Sequence, residues 1–241
     1  MTKKSPYFSI IIPSKNEEAL IDKCLSSVCS QSSKRSYEVI LVDGQSTDRT
    51  LEIAKKYKID ILYESRPGKT FALQKGLMHA KGKIICFTEA DCIVPNNWLN
   101  IIDKELRSHP ESVAITGEYR FHNSNWYYNF LAKMFIPLGM YIFYLFFRIY
   151  PLRTTNYAIY KSILMKVKGL NTHTEELYDV DLSLRLRGMG KVTYIPNFRI
   201  QTSDRRIKRR IFSFLKEFFI SFFYVAILRK PIRQKVYEDI R

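Results

Sequence analysis

Four short apolar runs separated by helical patterns constrain this chain more than any other feature. The runs are Phe8 to Ile12, Tyr37 to Val42, Ile59 to Tyr63 and Ile84 to Phe87. Between them, Leu20, Ile21, Cys24, Leu25 and Val28 keep helical spacing, and further helices are expected over Arg49–Tyr57 and Lys69–Ala80. Continuous apolar runs mark strands buried on both faces. Their alternation with helices implies βαβ units around a mostly parallel sheet, an α/β fold.

Polar clusters follow three of these strands: Ser14–Glu17, Asp43–Asp48 and Glu89–Asp91. Open α/β sheets bind ligands in the crevice outside the carboxyl ends of their strands, where all three clusters should meet. The oxygens of Glu89 and Asp91 suit a hard divalent cation, since Mg²⁺ takes one or two carboxylates plus substrate phosphates. An isolated E-A-D reads equally well as a solvated turn; three clusters on one edge favour a site. Gly68 permits positive φ or close backbone approach, and the helix from Lys69 offers its N-terminus to an anion, with Arg66 adding charge. An ordinary loop and helix start fits those residues as well. Ser46 or Thr47 is the expected N-cap of the Arg49 helix. Pro95 is the expected first-turn proline of a helix carrying Trp98, Ile101, Ile102 and Glu105.

IIPSKNEE, VDGQSTD, RPGKTFALQKG and FTEADCIVP, in this order, resemble the motifs of family 2 glycosyltransferases of the GT-A fold. The likeness runs from Phe8 to about Phe198. It implies a GT-A nucleotide-diphospho-sugar transferase fold, a UDP- or GDP-hexose donor and a divalent metal, Mn²⁺ or Mg²⁺. It also implies donor-binding positions at Pro13, Asn16, Glu17, Asp43, Arg66, Gly68, Lys69, Glu89 and Asp91. Asp43 would meet the base, and Asp91 the metal and diphosphate. The family's D-D-G-S stands here as Asp43-Gly44-Gln45-Ser46, and its D-x-D as Glu89-Ala90-Asp91.

Further on, EELYDVDLSLRLRGMG resembles the family's E-D-x-D-L-x-x-R-L element. That register puts Asp179 on the catalytic aspartate of an inverting enzyme, with Tyr178 where glutamate is usual. A carboxylate at a helix start can accept a hydroxyl proton, and it can equally cap the helix. Glu175 and Glu176 are the alternatives in a shifted register, and His173 is another candidate base. Thr154–Tyr160 resembles the family's segment before a short helix, here Ser162–Lys168 ended by Gly169. Processive relatives carry Gln-x-x-Arg-Trp after the catalytic aspartate. Trp98 and Trp126 both precede Asp179, so single addition is expected.

With 39 Lys and Arg against 23 Asp and Glu, the formal charge of +16 calls for an anionic partner. Fourteen uninterrupted apolar residues run from Met134 to Phe147, with Pro137 and Gly139 inside. That is short of the ~20 a spanning helix needs. A single crossing would also put Asp91 and Asp179 on opposite sides of a bilayer, so the stretch should lie in the interface, turn back or be core. Arg205–Arg210 precedes the phenylalanine-rich stretch Ile211–Leu228, a pattern for a helix lying on anionic lipid.

The expected organisation is a catalytic domain over residues 1–203, with a membrane-facing insertion at 126–150 and a membrane-associating segment at 204–241. The expected partners are a nucleotide sugar, a lipid-linked or glycan acceptor and an anionic membrane surface on its cytoplasmic face. Cys24, Cys29, Cys86 and Cys92 lack metal or disulfide spacing, which fits a reducing compartment. MTKKSPYFSIII turns polar too soon for a signal peptide. Other readings are a soluble glycan acceptor, a sugar-phosphate nucleotidyltransferase on a similar fold, and a nucleic-acid-binding protein. Against the last, the aromatics sit in apolar runs and do not alternate with basic residues as stacking platforms, so no nucleic acid is expected.

Overall fold

Residues 8–87 fold as their apolar runs require. In the computed structural model, which describes residues 5–122, 124–174 and 178–205, β1 is Phe8–Ser14, β2 Tyr37–Asp43, β3 Asp60–Tyr63 and β4 Ile84–Phe87. Helices α1 (Ile21–Cys29), α2 (Thr50–Ala54) and α3 (Lys69–His79) connect them. After β4 come β5 (Cys92–Ile93), α4 (Trp98–Ser108), β6 (Ser112–Phe121), α5 (Trp126–Phe147), β7 (Tyr157–Tyr160), α6 (Lys161–Lys166), α7 (Tyr178–Leu186) and β8 (Lys191–Thr202).

One eight-stranded sheet joins them in the order β3-β2-β1-β4-β7-β6-β8-β5. The β3-β2-β1-β4 half is parallel, and β6 pairs parallel with β8, while β7 and β5 run antiparallel to their neighbours. The sheet is therefore mixed, where the first four strands alone suggested a mostly parallel one. The chain builds outward from β1 to β2 and β3, then returns to the other side of β1 with β4. That reversal opens a crevice at the carboxyl ends of β1 and β4.

Both faces of the strands are covered. Ile11, Ile40, Val42, Ile85 and Phe87 pack with Leu73 and Leu77 of α3 and with Leu182 and Leu186 of α7. Ile10, Ile12, Leu41, Ile84 and Cys86 pack on the other face with Leu25 of α1 and with Trp98 and Ile102 of α4. This two-sided burial explains why the runs are apolar throughout.

Strands β6 and β8 escaped a sequence reading because charged residues and breaks interrupt them. β8 contains Pro196, and its pairing with β6 shifts register between Tyr194 and Arg199. On β6 the shift falls at Gly117, where an added Cβ would stand 2.1 Å from the Phe198 carbonyl oxygen. Only glycine lets the two backbones approach so closely. Asn156, fully buried, closes the seam: its Nδ2 donates to the carbonyls of Glu118 (3.0 Å) and Phe198 (2.8 Å), and its Oδ1 accepts from Trp98 Nε1 (3.0 Å).

Three local expectations are corrected. Asp48 serves the start of α2, its Oδ1 accepting from the Thr50 amide at 3.0 Å, while Ser46 and Thr47 bond to Asn16. After Ala54 the chain tightens into i→i+3 bonds, Lys56 to Ile53 and Tyr57 to Ala54, so α2 is shorter than Arg49–Tyr57. Pro95 lies ahead of the helix, its carbonyl accepting from the Trp98 amide, with Asn97 at the cap.

The apolar stretch is the 22-residue helix α5 with Pro137 inside. Ala132, Ile136 and Met140 pack on Phe121 and Tyr119, while Trp126, Phe130, Phe135, Leu138, Ile142 and Phe146 stand exposed. Among the described residues no helix is long and apolar enough to cross a membrane. The expectations for Glu175, Glu176 and Ile211–Leu228 lie outside the described residues.

Replacing Asn156 with leucine leaves three buried partners unbonded. We expect a loss of about 3 kcal/mol and roughly 10 °C in Tm. Thermal and urea unfolding check this; a Tm within about 2 °C of wild type would remove Asn156 from the seam.

Candidate active site

The loops after β1 and β2 clasp each other. Asn16 donates its amide to Ser46 Oγ (2.7 Å), and its side-chain oxygen accepts the Thr47 amide (2.6 Å). Alongside, the Glu17 amide donates to Thr50 Oγ1 (2.6 Å) and the Glu18 amide to Asp48 Oδ2 (3.0 Å). Asn16 and Gln45 both hold positive φ, 48° and 63°, at facing loop tips. Non-glycine residues adopt that backbone only where their surroundings fix it, and such positions gather at functional sites. Asp43, at the end of β2, is fully buried beneath the clasp. It accepts from Ser14 Oγ (3.2 Å), the Ser46 amide (2.9 Å) and Ser46 Oγ (2.5 Å). Pro13 lies in β1 opposite Val42, one residue before Ser14.

At the end of β3 the sequence reading missed Glu64. Its carboxylate is buried and takes a two-pronged grip from Arg66, Nε to Oε1 at 2.9 Å and a terminal nitrogen to Oε2 at 2.8 Å. Those bonds outweigh burial and hold Glu64 down at about 2. The E-x-R spacing was the available signal. Arg66 also stacks on Phe71, 4.6 Å from the ring centre. Gly68 takes φ 120° and starts α3, as its place before Lys69 implied.

Lys69 joins the parts. Its ammonium donates to Glu89 Oε1 at 3.1 Å and lies 5.5 Å from the ring centre of Tyr178, the residue before Asp179. Glu89 and Asp91 are each about 7% exposed at the end of β4. Asp91 Oδ1 accepts from Thr202 Oγ1 (3.4 Å) on β8, and the Cys24 thiol donates to the Glu89 carbonyl (3.3 Å). The acidic loop is thus held by α1 and by β8. Arg205, just beyond β8, pairs with Glu17, and Asp204 is buried beside it.

Asp179 stands in the first turn of α7, across the cleft. Its own carboxylate accepts the Val180 amide at 2.9 Å, and its backbone carbonyl accepts Ser183 Oγ (2.5 Å). The side chain keeps part of its surface open, yet lies deep enough that burial pushes its carboxyl up to about 6 against the pull of Lys69 and Arg153. Tyr157 and Tyr178, both buried beside Asp179, are kept neutral by the same burial. His173 is exposed on the loop before α7.

Among the described residues no three His, Cys, Asp or Glu side chains gather as a metal cage. The acidic pair still fits a hard cation whose other ligands are phosphate oxygens and water. Residues 9–176 match the model of glycosyl transferase family 2. The chain belongs to that family.

Among its relatives, glycosyltransferase AglE of Haloferax volcanii is 38% identical over 106 residues, covering 41% of this chain and 35% of AglE. Dolichyl-phosphate beta-glucosyltransferase ALG5D of Trichomonas vaginalis is 23% identical over 193 residues, 72% of this chain and 59% of its own length. The chain thus spans less than two thirds of either relative. Mannosyltransferase PcManGT from Pyrobaculum calidifontis, solved with GDP-Man and Mn²⁺, superimposes with a TM-score of 0.69 at 20% identity, over 99% of this chain and 68% of that one. That superposition shows the GT-A fold.

Unfolded, Asp179 titrates at its ordinary 3.8; folded, it holds its proton up to about 6. The folded state therefore binds more protons across that interval, and stability falls as pH rises through it. Asp179→Asn removes the falling limb. We expect the variant to melt at least about 2 °C above wild type at pH 7.5, with the gap closing toward pH 4. Melting curves across pH read this directly, and a gap independent of pH would contradict the burial of the carboxyl.

Proposed function

We propose that the chain is an inverting glycosyltransferase that moves one sugar from a UDP- or GDP-hexose to an acceptor presented at the cytoplasmic face of a membrane. The single observation carrying this is Lys69, which ties the acidic loop after β4 to the helix start bearing Asp179. Donor and acceptor chemistry would meet across that side chain.

In this reading the clasped β1 and β2 loops, with Pro13, Asn16 and Glu17, cradle the nucleoside, and Asp43 shapes the base pocket from beneath. Arg66, Gly68 and Lys69 face the diphosphate from the start of α3, where amide donors and positive charge favour an anion. Asp91, with Glu89 beside it, would hold a divalent cation, which when bound neutralises charge on the departing nucleoside diphosphate. Asp179 takes the proton of the attacking acceptor hydroxyl on the opposite face of the sugar. A carboxyl lifted to about 6 is a better base than an ordinary aspartate and remains ionised at pH 7.

The membrane reading rests on α5. Trp126 and Phe146 are each 77% exposed on a face that presents no acidic side chain. A contiguous apolar surface of this kind marks a lipid or protein contact. The basic run beginning at Arg205, which pairs with Glu17 at the site, would add attraction to anionic lipid. Four free thiols suit the reducing side of that membrane. The division into a catalytic domain over 1–203 and an associating segment at 204–241 goes with this proposal.

Two experiments test it. Asp91→Asn should abolish metal-dependent binding of UDP or GDP, whereas Asp179→Asn should keep nucleotide binding and lose at least ~10²-fold in turnover. Nucleotide-sugar consumption unchanged in both variants would refute the assignment. For the membrane, Phe135→Asp with Phe146→Asp should cut sedimentation with anionic vesicles by at least about tenfold while leaving nucleotide affinity intact. Undiminished sedimentation would make α5 a protein contact.

A further inference from the structure

We propose that Arg153 anchors an acceptor-phosphate site: a phosphate or diphosphate carried by the acceptor lies against its guanidinium, beside Asp179. The proposal rests on the glycosyltransferase reading above and names the class of acceptor.

Arg153 is mounted rigidly. Its amide donates to Thr116 Oγ1 (3.0 Å) on β6, and its carbonyl accepts the amide of the buried Asn156 (2.8 Å). The preceding amide, of Leu152, donates to Ser183 Oγ (2.8 Å), the hydroxyl that in turn donates to the Asp179 carbonyl. Two hydrogen bonds therefore link the backbone carrying Arg153 to the turn carrying Asp179. The guanidinium stacks over the Tyr119 ring, 4.7 Å from its centre. Stacking occupies the face of the ion and leaves its N–H edge for a ligand. Among the described residues that edge donates no hydrogen bond and joins no ion pair.

Charge around it selects the ligand. Arg120 donates to the Tyr119 carbonyl and pairs with Glu118 at 3.1 Å; Arg199 pairs with the same carboxylate at 2.9 Å. Glu118 is 1% exposed and also bonded by Tyr194, so one carboxylate serves two guanidiniums. With Arg153 the cluster carries three positive charges against the carboxylates of Glu118 and Asp179, a net excess of one. A phosphate monoester, at −1.5 to −2 near pH 7, offers three acceptor oxygens to these guanidiniums where a carboxylate offers two. Arginine also meets phosphate through paired, parallel N–H bonds. Tyr119 packs against the cluster that holds Ala132, Ile136 and Met140 of mid-α5, so the cation sits beside the exposed apolar helix. The phosphate could arrive on a prenyl lipid or on a soluble sugar.

The test reads binding without turnover. The full chain, Arg153→Gln and Arg153→Lys are titrated with farnesyl phosphate and farnesol in nonionic micelles, and with glucose 1-phosphate in buffer. Wild type should bind farnesyl phosphate at least about tenfold more tightly than farnesol. Arg153→Gln should lose roughly 10- to 100-fold for phosphate ligands with UDP or GDP affinity and Tm unchanged, and Arg153→Lys should fall between. Tighter binding of farnesyl phosphate than of glucose 1-phosphate assigns a lipid source, and the reverse a soluble one. Equal binding of phosphate and neutral ligands, or an Arg153→Gln defect in nucleotide affinity alone, overturns the site. If phosphate binding depends on Arg153 but no nucleotide sugar is consumed, the transferase reading fails and the site stands. If nucleotide sugar is consumed and Arg153→Gln binds farnesyl phosphate as wild type does, the site fails alone.

Discussion

The cleft depends on one ion pair, Lys69 to Glu89. The carboxylate is almost fully enclosed and the ammonium about three-quarters so. Removing one partner of such a pair typically costs about 3–5 kcal/mol, because the other charge is left buried alone. The pair also sets geometry. It fixes the first turn of α3 to the loop after β4, and the same ammonium lies over Tyr178, so the position of α7 is referred back to β4. Gly68, with its φ of 120°, is what allows α3 to begin at that point.

Two carboxylates near the cleft illustrate how environment divides labour. Glu64 is enclosed with a guanidinium gripping both oxygens and is ionised under all ordinary conditions. Asp179 is enclosed with cations at longer range and one backbone donor, so desolvation prevails and its proton leaves only near pH 6. Carboxyl groups driven apart in this way separate a structural anion from a candidate base.

Much of this was legible in the residues. Continuous apolar runs named β1 to β4 to within two residues, and the polar stretches at their ends marked the crevice. Asp179 was placed at a helix start through its neighbours Asp181, Leu182 and Arg185. The second half was obscured for physical reasons. β6 carries Glu118 and Arg120 because their charges satisfy each other inside the sheet, and β8 carries Pro196 because its ladder breaks register there. Neither pattern is periodic. Arg153 gave no warning because its surroundings are set by the tertiary fold, and Glu64 gave only its two-residue spacing from Arg66.

The placement of β8 bears on how the cleft is made. This strand comes last among the described elements, yet it lies inside the sheet, between β6 and β5. Asp91 is braced by Thr202 across 111 residues of chain. Closing so long a loop is entropically slow, and contacts of this separation form late. While the chain emerges from a ribosome, β1 to β4 can pair without β8, but the acidic loop must wait for it. A nascent chain would therefore hold the clasped β1 and β2 loops before it could hold the acidic loop in place, and the cleft would mature from its first strand toward its last.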